Sequence, residues 1–137
     1  MLFRSNFTTG TGDTFKAALY LSSATLNAST TAYSATGEVT GTGYTAGGVT
    51  VTNGTSPTST NTSSTAGTAY WTPSASLSYT SVTLTTAFNC VLTYNSSKSN
   101  KAVSVHTFGS QTVTAGTFTL TMPSNTTSTA LIRLATT

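Results

Sequence analysis

The chain has 137 residues and a formal net charge of +3, a length that gives one domain with a modest core. Thr occurs 36 times and Ser 20 times, against five Lys/Arg and two Asp/Glu. So few charges argue against disorder of the whole chain, which goes with high net charge, and five scattered cations make no nucleic-acid footprint. No run of about 18 apolar residues marks a membrane span. No basic start leads into an apolar run, so a soluble, non-exported protein is expected.

Period-2 alternation recurs in short pieces and nothing sustains a helical repeat, so the chain reads as all-β. Residues 1 to 12 form an N-terminal arm, and one domain spans 13 to 137. In Asp13 to Leu21, Phe15, Ala17, Leu19 and Leu21 share a face, which gives the first strand. Ser22 to Gly48 is a Gly-rich excursion pinned by Tyr33, Val39 and Tyr44. Val49 to Thr52 makes a short strand before an Asn53-Gly54 turn. Asn53 to Gly67 holds nothing large and apolar, and is expected to be a mobile surface loop dispensable for folding.

Ala69 to Thr72 form a strand stub ended by Pro73, with the sole Trp, Trp71, covering one end of the core. Leu77 to Thr86 alternates weakly. Phe88, Cys90, Leu92 and Tyr94 then point one way, and Lys101 to Phe108 returns with Val103 and Val105 on one face, a hairpin closed by Gly109. Gln111 to Thr114 and Thr117 to Met122 read as a second hairpin around Ala115-Gly116, with Phe118, Leu120 and Met122 on one face. Ala130 to Leu134 is the last strand. Seven or eight short strands predict a compact antiparallel β-sandwich, jelly-roll or immunoglobulin-like.

Groups for chemistry are scarce. Asp13 and Glu38 are the only acids, His106 the only histidine and Cys90 the only cysteine, so neither a disulfide framework nor a Cys/His zinc site can be built. Asp13 reads as a turn residue, Glu38 as a solvated or locally bonded side chain, His106 as a hydrogen-bonded strand residue and Cys90 as a small hydrophobe. The serines lie in no Gly-x-Ser-x-Gly elbow. The six Asn-x-Ser/Thr triplets follow from a Thr/Ser-rich composition, and Gly-Thr-Gly at 10–12 and 41–43 is turn chemistry rather than a nucleotide fingerprint. The expectation is a protein with no catalytic residues, metal or cofactor. Leu2, Phe3, Arg4 and Phe7 in the arm are candidate partner-binding residues.

Asp13 to Tyr20, Thr31 to Val39 and Gly41 to Gly48 resemble segments of small virion proteins of tailed bacteriophages. Leu92 to Asn95, Lys101 to Val103 with Phe108-Gly109, Phe118 to Leu120 before Pro123, and Ala130 to Arg133 are similar to that family's closing strands. These are turn and strand signatures and name no active site. The resemblance implies a non-enzymatic structural protein of the virion, assembled in the host bacterial cytoplasm. Favoured among its locations is the head, as a decoration or cement protein on the major capsid protein, self-associating as a trimer, with no nucleic-acid or membrane partner. The alternative is a tail, neck or fibre component that binds host glycans through exposed Tyr44, Tyr70 and Trp71; a tail-associated hydrolase would need more carboxylates than the chain has.

Overall fold

The computed structural model describes residues 5–135. Seven strands follow in order: β1 (Phe15–Leu21), β2 (Val49–Val51), β3 (Thr58–Ser59), β4 (Thr68–Trp71), β5 (Leu77–Asn95), β6 (Lys101–Leu120) and β7 (Ile132–Ala135). They make two antiparallel sheets, a four-stranded one in the order β2-β1-β5-β6 and a three-stranded one in the order β3-β4-β7. The fold is all-β and consistent with a sandwich.

Strand β1 is central and buried on both faces. Phe15, Ala17 and Leu19 enter the main core, while Ala18 and Tyr20 enter a second cluster with Cys90, Leu92 and Tyr94. The excursion between β1 and β2 roofs that second cluster with Ala24, Leu26 and Tyr33. Its close fit depends on Gly48, at φ 73°, where a Cβ would overlap the Ala17 carbonyl.

Strands β5 and β6 correct the expected pair of hairpins. They form one continuous ribbon from Leu77↔Leu120 to Asn95↔Lys101. A straight strand of 19 residues would run about 60 Å, too long for a domain whose radius of gyration should be about 14 Å. Bulges resolve the conflict by bending the ribbon. The register shifts between Tyr79 and Val82, Val82 and Leu84, Leu84 and Phe88, Phe88 and Cys90, and Thr93 and Tyr94, and Ser81 and Ala115 sit at positive φ, 54° and 46°. Phe118, cross-strand from Tyr79, thereby meets Phe88 edge-on at 4.9 Å, and the Tyr79 hydroxyl donates to the Ala17 carbonyl at 2.8 Å. Both ends of the bent ribbon thereby contribute side chains to the main core, beside those of β1, β2 and β4.

The bulges also overturn two turn assignments and two facing assignments. Ala115-Gly116 is a bulge within β6 and not a turn, and Gly109 lies inside the strand rather than ending it. Phe88 packs in the main core while Cys90 and Leu92 pack in the second. Likewise Val103 faces the main core and Val105 the second, because the ladder skips a residue between Ala102 and Ser104. Finally, Asn53 to Gly67 is exposed for most of its length but contributes β3, paired to β4 through Thr58↔Tyr70 and Ser59↔Ala69.

Candidate functional site

The most elaborate polar arrangement surrounds Glu38, which is 6% exposed. Its Oε1 accepts the Tyr44 hydroxyl and the Gly47 amide, both at 2.7 Å, and its Oε2 accepts the Tyr33 hydroxyl at 2.6 Å. A buried carboxylate is tolerable only when so satisfied. Tyr44 in turn accepts the Leu19 amide at 3.0 Å, tying the excursion to β1. Burial, reinforced by the neighbouring carboxylate, pushes the Tyr33 and Tyr44 hydroxyls far above their ordinary range. Burial likewise raises Tyr20, to about 12, although its bond to the Ser34 carbonyl acts the other way.

The second acid holds the N-terminal end of the domain. Asp13 Oδ2 accepts the Asn6 amide at 2.9 Å and Nδ2 of the fully buried Asn95 at 2.7 Å, while Oδ1 lies 3.7 Å from the exposed Lys98 ammonium. The Asn6 amide above all, then Asn95, holds the Asp13 carboxyl below its ordinary value. Asn95 closes the arrangement by accepting the Ser97 amide in the β5-β6 turn.

Several candidate residues stand elsewhere than the sequence implied. Phe7 is part of the domain's own core: its ring stacks on Phe15 at 4.6 Å with planes 1° apart and lies 4.4 Å from Trp71. It is therefore not a free docking residue. Leu2, Phe3 and Arg4 lie outside the described residues. Trp71 is only 3% exposed, with its indole N–H donated to the Thr55 carbonyl, and Tyr44 is engaged as above. Of the three aromatics proposed for glycans, Tyr70 alone stands half-exposed on a strand without a core role, so they form no common platform.

Cys90 is buried in the second core, and burial raises its thiol pKa. His106 is half-buried, bonded to the Ser104 hydroxyl at 3.0 Å, with burial lowering its pKa. It lines an apolar pocket of about 170 Å³ with Val91, Phe108, Leu120 and Met122. Among the described residues no three His, Cys, Asp or Glu side chains gather as a metal site.

What sequence patterning missed is a long edge. Strand β6 bounds its sheet, and only at its start does the excursion reach it, through the Ala102 amide on the Thr31 carbonyl and the Tyr33 amide on the Asn100 carbonyl. Beyond that contact a groove of about 760 Å³ opens between Leu26–Thr31 and Lys101–Thr107. The long alternating Thr/Val run was the available signal, obscured by glycines that read as turns. No family model, curated protein or solved structure matches this chain.

Proposed function

We propose that the chain is a non-enzymatic structural protein of a bacteriophage particle, a decoration or cement protein that binds the major capsid shell and stabilises it. The observation that carries this reading is the use of the only two acids. All of Glu38's oxygens and both of Asp13's are spent on holding backbone and side chains in place, which leaves neither as a free general acid or base. Chemistry in this chain is invested in rigidity. Three of the segments that resemble phage virion proteins build this frame: Asp13 to Tyr20 is β1 with its anchor, and Thr31 to Val39 and Gly41 to Gly48 carry Tyr33, Glu38, Tyr44 and Gly47.

A module that works in many copies suits the surface as well. Seven charged side chains in 137 residues give a free monomer little protection from association, and neighbours that cover it offset this. The rival, a glycan-binding tail or fibre component, is weakened by the burial of Trp71 and the internal role of Tyr44. The test adds purified chain to heads and, separately, to tails from particles lacking it. Saturable binding to heads, with a higher temperature of head disruption, is the expected result; binding to tails alone, or to neither, overturns the reading.

A further inference from the structure

Sheets avoid exposing long straight edges, because unpaired backbone groups template pairing with another chain; charges, prolines, bulges and covering segments are the usual protection. Strand β6 has only part of this. It is 20 residues long, its outer side has no backbone partner among the described residues after Ala102, and from Ala102 to Leu120 it contains no Lys, Arg, Asp, Glu or Pro. Bulges at Val103, around Gly109 and at Ala115 divide it into two runs, Ser104–Thr107 and Gln111–Thr114; opposite the second, the extra residues of the Leu84/Phe88 register shift lie on β5, so β6 itself runs on without a bulge. The first run borders the groove under Leu26–Thr31. The second is open: Gly109 to Thr112 are all exposed, Val113 packs inward, and Thr112 and Thr114 face out.

We propose that two copies of this chain pair antiparallel through the outer edges of β6, about a two-fold axis at Thr112, so that two four-stranded sheets become one of eight. This deepens the structural reading above and rests on it. The choice of a second copy follows from symmetry and charge. Antiparallel pairing about a two-fold sets the residue on the axis opposite its own counterpart and keeps its near neighbours close to theirs, so a charge at the axis meets itself. An edge made of Thr, Ser, Gln, Gly and Val has no such penalty, and Thr opposite Thr is among the favourable cross-strand pairs. A foreign partner selected by charge would find none on this edge to read. The flanking bulges limit the pairing to a short run, which ends the association at two copies instead of a fibre.

The contact yields a dimer, and sedimentation equilibrium of the purified chain should find one. Thr112→Lys places two ammonium groups face to face and should weaken the dimer at least tenfold with an unchanged circular dichroism spectrum. Mixing Thr112→Lys with Thr112→Glu should restore association as a heterodimer. Because Cys90 is buried, Thr112→Cys adds the one accessible thiol and should cross-link copies under mild oxidation, whereas Thr50→Cys, on the opposite edge strand, should not. A wild-type monomer or trimer, or a dimer indifferent to Thr112→Lys and cross-linked equally from Thr50→Cys, overturns the pairing; if Thr112→Lys fails to fold, the cysteine pair decides. Particle incorporation, assayed separately, distinguishes the two readings: a monomer that coats heads overturns only the edge contact, and a dimer absent from particles overturns only the particle role.

Discussion

The Tyr44 hydroxyl donates to Oε1 of Glu38 at 2.7 Å while accepting the Leu19 amide at 3.0 Å. Through this pair the 22–48 excursion is fastened to the central strand, and the roof over the second core stays closed. Tyr44→Phe leaves both the carboxylate and the Leu19 amide short of a partner, at an expected cost of about 1–3 kcal/mol. Glu38→Ala removes the hub and strands two tyrosine hydroxyls and an amide, so it should cost more than Tyr44→Phe. Urea unfolding of the three proteins checks the order; equal stabilities would show that the network contributes nothing.

Stability should fall in alkali. The folded state holds Tyr20 at about 12 and Tyr33, Tyr44 and Tyr79 higher, in each case chiefly by burial, against about 10 when unfolded. A raised folded pKa gives stability that is complete below the unfolded value and lost as pH climbs through the folded one. The unfolding midpoint should therefore hold steady up to about pH 9 and drop beyond pH 10. A midpoint flat to pH 12 would contradict the buried, protonated tyrosines.

On the acid side two groups act in the same direction. His106 has a lowered folded pKa because burial disfavours its charge, so its contribution fades as pH falls below about 6.5. Asp13, lowered chiefly by the Asn6 amide, adds a second loss as pH falls below about 4. Asp13→Asn should remove the lower step and leave the upper one, as read from denaturation midpoints at a series of pH values.

Phe7 ties residues before the first strand to the core, so removing residues 1 to 8 should destabilise the domain itself. Phe7→Ala alone should cost about 3 kcal/mol, as for other buried aromatic truncations. An unchanged thermal midpoint would mean that the stack on Phe15 is not formed.

Within Asn53 to Gly67 the two halves should behave differently. Residues 53–59 carry the Thr55 carbonyl that receives the Trp71 indole, the Asn53 side chain that donates to the Asp13 carbonyl, and β3. Replacing them with Gly-Ser should cost about 1–3 kcal/mol, largely for the unpaired buried indole. Shortening the exposed 61–66 stretch should change stability by under about 1 kcal/mol. Equal effects from both replacements would contradict this division.

Local alternation made β1 legible, because Phe15, Ala17 and Leu19 keep strict period 2 over a strand with no internal bulge before Tyr20. It failed on β5 and β6 for one physical reason: each bulge resets which side the next residues face. Gly109 and Gly116 therefore read as turns, although both lie within a single strand. Glu38 read as a solvated or locally bonded acid; it is buried rather than solvated, because Tyr33 and Tyr44 fold toward it from both sides. Phe7's place against Phe15 and Trp71 joins parts of the chain far apart in sequence, which no local pattern contains.

In the proposed role this sparsely charged β module is a multi-copy part of a phage head. Cryo-electron microscopy of purified particles, at a resolution that traces this chain and counts it, decides whether it is. Density for the sandwich should repeat over the capsid surface, contacting the major capsid protein; a chain confined to a few copies on the tail, or missing from purified particles while abundant in the infected cell, would contradict it.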